Sequence, residues 1–311
     1  MNIKDILTKG YPFVESILSA LPLCDEFVIS DGYSEDGTYE ILEKLAEIHP
    51  KIKLIRVKWN LDNKNRQNGK FLAETGNATM RFCKGRYIFY HQASEIIHEK
   101  SVNKIRQLIL DHPKIIFFHL PYYNFVKNIL FSEEFRLRLS KKMPEVFLVE
   151  DAANFKFTRK ATMKMILNAI FSNPFKSKDA LAQIFSSYGF VYGPYMHAIL
   201  PQPIYRYSGL YRNDLIKKME QHAEKIKYKN FENIHSDIAK ILKEKSNSQN
   251  FGQIWIDNLY KNWNPPPTCL EPPRTISLNE HPKIMQELLE GNKKEYIIRK
   301  KLLSENFLNH L

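Results

Sequence analysis

Carboxylates recur in the first half of the chain just after predicted strands, where they could bind a ligand. The clearest case is the stretch 25–38, DEFVISDGYSEDGT, in which the apolar run FVI is followed by Asp31 and, in a second turn, by Asp36. A strand that delivers a carboxylate at its carboxyl end, just before a helix, lies where open α/β sheets bind ligands. The alternative is that Asp31 only caps the amides of its own turn.

Two further stretches place acidic residues at comparable points. Glu95 closes the sequence QASE, which follows the strand-like segment 86–91. Glu150 and Asp151 follow a short extended stretch at 144–149. Asp151 precedes Ala-Ala-Asn-Phe, so its alternative role is to cap a helix.

The elements that must position these residues alternate regularly along the first part of the chain. Apolar runs bounded by turn residues predict strands at 26–30, 51–57, 86–91 and 114–120. Helical spacing predicts helices at about 12–21, 37–48, 70–84 and 99–110. This succession predicts a mostly parallel sheet with helices on both faces. Beyond it, Arg136 and Arg138 alternate with leucines and share one face of a strand, where phosphate or solvent could meet them.

The composition of the chain limits the classes of partner and the compartment that we expect for it. The chain has 311 residues and a formal net charge of +12, which favours anionic partners such as nucleotides, nucleic acid or a membrane surface. No apolar run is long enough to span a membrane and no signal peptide is visible. Cys24, Cys83 and Cys269 lack metal or disulfide spacing. We therefore expect buried thiols in a reducing compartment, which places the protein in the cytoplasm or peripherally at the inner face of the membrane.

Four stretches, in order, resemble the family-2 glycosyltransferases of GT-A fold, and more narrowly a bacterial and archaeal subgroup. They are YPFVESILSALPLCDEFVISDGYSEDGT, NATMRFCKGRYIFYHQASEIIHE, VEDAANF and YSGLYR. The resemblance implies a GT-A-type, Rossmann-like α/β domain over 1–212; the mainly helical, basic extension over 213–311 is not covered by it. The family opens with a complete first strand, whereas Met1 begins near the end of that strand. We therefore expect the sheet to lack this strand or to borrow one from elsewhere in the chain.

The resemblance implies a role for each matched carboxylate. Asp31 corresponds to the acidic residue that binds the base and ribose of a nucleotide-sugar donor, and Asp36 lies at the acidic position of the following turn. Glu150 and Asp151 match the Glu-Asp pair of inverting members, whose aspartate is the general base. Such a base takes the proton of the acceptor hydroxyl as it attacks the anomeric carbon.

The segment that resembles the family's metal motif departs from it. Gln92, Ser94 and Glu95 stand in that motif, with Ser94 in place of an aspartate, and Tyr207 replaces a histidine in the segment that closes over the diphosphate. Glu95 could still hold Mg²⁺ or Mn²⁺, directly or through water. Alternatively, basic side chains could hold the diphosphate without metal. The candidates for that role are Arg206, Arg212, Lys217 and Lys218.

The expected activity is inverting transfer of a sugar from a nucleotide-sugar donor, foremost a UDP-sugar, to a hydroxyl of a cell-envelope glycan or a lipid-linked acceptor. The first alternative is a catalytically degenerate GT-A-fold protein that acts as a binding or scaffold module. A sugar nucleotidyltransferase lacks support because no Gly-rich, basic loop precedes Tyr11. The basic helices after 213 could contact an anionic membrane or form a solvated face. No nucleic-acid-binding motif is present, so we expect no nucleic-acid partner.

Overall fold

The first part of the fold is a small parallel sheet. The computed structural model describes residues 1–62, 69–113, 115–126, 129–149, 152, 154–158, 160, 198–209, 274–291, 294–297 and 300. The sheet has the order β1 (Asn2–Ile3), β2 (Phe27–Asp31), β3 (Ile52–Arg56), connected by α1 (Phe13–Ala20) and α2 (Thr38–Ile48). All five residues of β2 are buried, as expected for a central parallel strand covered on both faces.

The chain supplies a short first strand itself, which corrects the expectation that the sheet lacks or borrows one. Asn2 and Ile3 pair in parallel with Ser30 and Asp31 of β2. The ammonium group of Met1 is buried and donates to the carbonyl of Val28 at 2.9 Å. Two residues and the amine of Met1 therefore form hydrogen bonds along part of this edge of β2.

The remaining elements form a second, mixed sheet and a small hairpin. In chain order they are α3 (Lys70–Met80), β4 (Tyr87–Phe89), β5 (Glu95–Ile97), α4 (Val102–Asp111), β6 (Phe117–Val126), β7 (Ile129–Lys141), β8 (Val146–Val149), β9 (Asn154–Phe157), β10 (Ile204–Gly209), β11 (Arg274–Thr275) and α5 (Lys283–Glu290). The mixed sheet has the order β11-β7-β6-β10-β5, and β4 pairs with β7. Only the β6–β10 pairing is parallel among the pairings described for this sheet.

This architecture confirms the expected fold class. A parallel sheet and a curled mixed sheet, both flanked by helices, give the mixed α/β arrangement of a GT-A-type, Rossmann-like fold. Within the described ranges, no helix combines the length and apolar character needed to cross a bilayer. The two described cysteines, Cys24 and Cys83, are free and half-buried rather than fully buried, and Cys269 lies outside the described residues.

The β8–β9 hairpin matters for the site because of its turn. Val149 pairs with Asn154, so residues 150–153 connect the two strands. Ala152, in this turn, is fully buried and has a φ of 61°. This is a left-handed conformation that a non-glycine residue adopts only when its surroundings hold it there.

The described C-terminal residues pack against the mixed sheet and against α1. Ile276 and the apolar face of α5 form a core cluster with aromatic residues of β6 and β10. Farther along, the Tyr296 hydroxyl donates to the Tyr11 carbonyl at 2.7 Å, and Lys300 forms an ion pair with Glu15 of α1. Within the extension over 213–311 that is expected to be mainly helical, the described residues include the helix α5. The predicted boundary between 212 and 213 falls outside the described residues.

Candidate active site

Asp31 lies at the carboxyl end of the central strand, together with an arginine and an exposed aromatic ring. Its buried carboxylate accepts the backbone N–H of Ser34 at 3.1 Å and Nε–H of Arg56 at 3.3 Å. The Arg56 guanidinium is 4.9 Å from the ring centre of Tyr33 and 3.8 Å from that of Tyr39. Asp31 therefore caps its own turn, and Arg56 links its carboxylate to the exposed ring of Tyr33, which is suited to stacking a base.

Asp36 is bound on both oxygens by the chain itself. One oxygen accepts the Thr38 backbone N–H at 3.1 Å, and the other accepts the backbone N–H and the hydroxyl of Thr8 at 2.9 and 3.0 Å. Burial acts to raise the pKa of Asp36, but the hydrogen bonds from Thr38 and Thr8 outweigh it, so the pKa lies below its ordinary value. These contacts tie the loop after β1 to the start of α2; a contact between Asp36 and a nucleotide stays a prediction.

The turn between β4 and β5 carries the QASE sequence and is fixed from several sides. The Gln92 backbone N–H donates to Oε2 of Glu95 at 3.0 Å, and the Gln92 carbonyl accepts the hydroxyl of Ser16. Ser94 is buried, and its carbonyl accepts the Tyr207 backbone N–H at 2.8 Å. Glu95 itself begins β5, and a strand of only three residues leaves too short a pattern to be predicted from the sequence.

Glu95 forms a buried ion pair with Arg138. Oε1 of Glu95 accepts N–H groups from Nη2 and Nε of Arg138 at 2.9 and 3.1 Å, and neither side chain is exposed. Burial acts to raise the pKa of Glu95, but the Arg138 charge outweighs it, so this pKa lies below its ordinary value. His91 lies 3.7 Å from the other oxygen, and burial lowers the pKa of His91 to about 4, so it is neutral near pH 7.

Arg138 also reaches the turn that follows β8. Its Nη1–H group donates to the carbonyl of Ala152 at 3.4 Å, and its Nε–H group donates to the hydroxyl of Tyr122 at 3.3 Å. The guanidinium of Arg138 thus connects Glu95 with the turn in which Glu150 and Asp151 lie in the sequence. Glu150 and Asp151 are outside the described residues, and so are Arg212, Lys217 and Lys218, so their roles stay predictions.

A second arginine, Arg206, lies beside Glu95 on the same sheet. It pairs in register with Glu95 of β5 and with Asn124 of β6. Its Nη1–H group donates to Oδ1 of Asn124 at 3.5 Å, while its Nε is buried and has no hydrogen-bond partner among the described residues. A buried N–H group without an acceptor costs free energy, so an anionic ligand that accepts from it would be favoured. Asn124 in turn donates to Glu134, which also accepts from Arg136.

The described residues do not fit a divalent metal ion. A magnesium or manganese site needs several oxygen ligands, whereas the Glu95 carboxylate is neutralised by Arg138 and Ser94 offers a neutral hydroxyl in place of an aspartate. Among the described residues, no group of three or more His, Cys, Asp and Glu side chains could hold a metal ion. The metal role of Glu95 stays a prediction, with a guanidinium already beside its carboxylate.

Tyr207 takes part in packing and in a histidine contact. Its side chain is fully buried on β10, and its hydroxyl lies 2.8 Å from Nδ1 of His281, which follows the short turn before α5. A histidine is therefore present next to position 207, but a distant part of the chain supplies it. No signal in the sequence could have paired these two residues.

Comparison with known proteins gives a match that covers this site. The family model described as "Glycosyl transferase family 2" matches residues 11–171, just over half of the chain. The matched range includes Asp31, Glu95 and Arg138 and extends past the turn at 150–153. No curated protein matches the chain.

Proposed function

Because the chain belongs to glycosyl transferase family 2, we propose that it transfers a sugar from a nucleotide-sugar donor to an acceptor hydroxyl with inversion at the anomeric carbon. The observation that carries the proposal is the buried Arg138, which contacts both Glu95 and the carbonyl of Ala152. Two stretches that resemble the family, QASE and VEDAANF, therefore meet at one guanidinium. Asp151, the base we propose, directly precedes Ala152 in the sequence.

We assign nucleotide binding to the end of β2. The Asp31 carboxylate would accept hydroxyl or ring N–H groups of the nucleoside, and Tyr33, which is 49% exposed, would stack on the base. Arg56 already holds both residues in place through one hydrogen bond and one ring contact. A UDP-sugar is the donor that we propose to test first.

The chemical step needs a base and a means of stabilising the leaving diphosphate. Asp151 would take the proton of the acceptor hydroxyl, a contribution of about 10²–10⁴-fold in rate. The buried Nε–H group of Arg206, without a partner among the described residues, supports a charge-assisted hydrogen bond to the diphosphate. Arg138 would act as a positioning residue, because it holds the turn that carries Asp151.

A second candidate function is nucleotide-sugar binding without turnover. The observation that favours it is the Glu95–Arg138 pair, which uses the remaining carboxylate of the metal motif for internal neutralisation. A protein that keeps the nucleotide end of the fold but lacks a means of stabilising the leaving group would bind donors and not cleave them. For the enzyme we propose a cell-envelope glycan or glycolipid as the acceptor class. For either candidate function we propose the cytoplasm or the inner membrane face as the location.

Calorimetric binding of UDP-, GDP- and dTDP-sugars, each with Mg²⁺, with Mn²⁺ and with chelator, tests the proposal. We expect one nucleotide class to bind with chelator present, and Asp31→Asn to lower its affinity. Asp111→Asn, an exposed carboxyl at the end of α4, is the matched control. Absence of any binding by folded protein would overturn both candidate functions.

Release of the nucleoside diphosphate distinguishes the two candidates. We expect the parent protein to release it slowly from the bound donor in water, and Asp151→Asn to abolish this release while leaving donor affinity unchanged. Binding without release, or release that is insensitive to Asp151→Asn, would favour the binding module instead. Arg206→Gln should weaken both donor binding and release if its Nε–H group meets the diphosphate.

A further inference from the structure

A cavity lies at the end of the parallel sheet that is opposite Asp31. It has a volume of about 370 Å³ and lies beside the first residues of β2, with walls from β4, the end of α3 and α4. Its lining is largely apolar and includes Phe27, Val28, Phe89, Ile105 and Ile109. The cavity lies beside the half of this edge of β2 with which β1 does not pair.

Basic side chains surround the mouth of this cavity. Arg86 lines it, and the Arg86 carbonyl accepts the backbone N–H of Lys142 at 2.8 Å, so the two residues are adjacent. Arg81 and Lys142 both line a neighbouring groove of about 430 Å³ between α3 and the start of β8. Arg81, Lys84, Arg86 and Lys142 are exposed, and none forms a salt bridge with a described carboxylate.

Carboxylates near this surface offset its charge only in part. Glu26 is bound to Lys53 and to the backbone N–H groups of Lys84 and Gly85. Three exposed acidic residues adjoin the surface, Asp25 at the cavity, Asp111 after Leu110 and Glu145 near Lys142, so the four cations remain in excess. We call the surface formed by Arg81, Phe82, Lys84, Arg86, Leu110 and Lys142 the basal face.

Two large apolar side chains project from the basal face. Phe82, between Arg81 and Cys83 in the chain, is 55% exposed, and Leu110, which lines the cavity, is 67% exposed. Exposed apolar groups surrounded by cations are typical of surfaces that enter the boundary between lipid headgroups and acyl chains. The described residues leave more than half of each of these side chains exposed.

We propose that the basal face binds an anionic lipid bilayer. Arg81, Lys84, Arg86 and Lys142 meet the phosphate groups, while Phe82 and Leu110 enter the apolar boundary and the cavity mouth adds apolar surface between them. Asp31 lies at the far end of β2, so the bound protein keeps its candidate donor site directed away from the lipid. The contact requires no sugar transfer and does not depend on the proposed function.

Co-sedimentation of the full chain with lipid vesicles tests this contact. We expect binding to phosphatidylcholine vesicles that contain phosphatidylglycerol, weak binding to phosphatidylcholine alone, and weakening by salt because the contact is electrostatic. Each basic residue near an anionic surface contributes roughly fivefold in affinity, so R86Q/K142Q together should lower it by roughly 25-fold. Phe82→Ser should weaken binding without changing the salt dependence.

The control has the same charge change at the other end of the sheet. K58Q/K70Q removes two exposed lysines near the ends of β3 and α3 that face away from the basal face. We expect this variant to bind vesicles as the parent does. Equal losses for the two double variants would overturn the proposal, since net charge alone would then explain binding. Failure of folded protein to bind anionic vesicles, or binding to RNA in their place, would also overturn it.

Discussion

The Glu95–Arg138 pair gives the most direct test of how the site is built. Both side chains are fully buried, and Oε1 of Glu95 accepts two N–H groups of Arg138. Removing one partner leaves a buried, uncompensated charge, which costs about 3–5 kcal/mol. Arg138→Gln and Glu95→Gln should each lower the free energy of unfolding by that amount at pH 7. This is a large share of a typical total of about 5–15 kcal/mol.

The double variant separates the pair from the packing around it. Glu95→Gln with Arg138→Gln removes both charges, so its unfolding free energy should lie close to that of the parent rather than at the sum of the two losses. Urea denaturation of the four proteins gives the coupling energy. Additive losses, or single losses below about 1 kcal/mol, would refute the claim that these groups neutralise each other.

The pH dependence adds a second signature. Burial acts to raise the pKa of Glu95, and the charge of Arg138 outweighs it, so the folded pKa lies below the unfolded one. The pair therefore stabilises the parent fully above the unfolded pKa of about 4.3, and this contribution is lost as pH falls below it. In Arg138→Gln the burial effect is no longer offset, so the pKa of Glu95 should rise. Its stability deficit should then shrink as pH falls; a deficit constant from pH 7 to pH 4.5 would contradict this.

Three further perturbations test the surroundings of the site. Burial lowers the pKa of His91 and of His281 to about 4, so these histidines take up protons in the unfolded chain at a higher pH than in the folded protein. The free energy of unfolding, measured by urea denaturation, should therefore decline from about pH 6.5 to pH 4. The decline should be less steep in His281→Gln, which lacks one of the two histidines. Gly76→Val should cost about 1–3 kcal/mol, because a Cβ there would lie 2.6 Å from Cδ1 of Leu148. Asn77→Ala should cost about 1–3 kcal/mol, since the Asn77 amide exchanges hydrogen bonds of 2.9 and 2.8 Å with the backbone of Leu148.

Control variants are available for two of these predictions, and each prediction has a result that would contradict it. Gly291→Ala is the control for Gly76, because its added Cβ would meet nothing nearer than 3.7 Å. Asn60→Ala, in an exposed loop, is the control for Asn77. A stability profile that is flat between pH 6.5 and pH 4 would contradict the argument from the two histidines. If a test variant and its control lost equal free energy of unfolding, the arguments from Gly76 and Asn77 would be contradicted.

Much of the first half of the fold could be predicted because its signals are local. The helix predicted at 37–48 is Thr38–Ile48, and the strand predicted at 26–30 is Phe27–Asp31. Apolar spacing sets both, and neither depends on distant residues. Asp31 could be singled out for the same reason, since the carboxyl end of a buried parallel strand is a ligand position in any such sheet.

The long hairpin β6–β7 and the partner of Glu95 could not be predicted in this way. The regular succession of strand and helix signals in the sequence weakens after Tyr122. There β6 lies in a mixed sheet, and its pairing with β7 shifts register twice. The alternation of arginine with leucine places Arg136 and Arg138 on one face of a strand, but it does not show which of them is buried. Arg138 is buried and pairs with Glu95, which is 43 residues away in the sequence, so no local pattern could show this pair. Arg136, in contrast, pairs with Glu134 on its own strand.

The ion pair of Glu95 also constrains how this sequence could change. Introducing aspartate at Ser94 would place a second negative charge in buried surroundings beside a carboxylate that Arg138 already neutralises. Removing Arg138 first would instead leave Glu95 unpaired. Each of these changes alone therefore lowers stability, and the two together leave two buried carboxylates that only a bound divalent cation would balance. In evolutionary terms positions 94 and 138 are epistatic, because the effect on stability of an aspartate at position 94 depends on whether Arg138 is present.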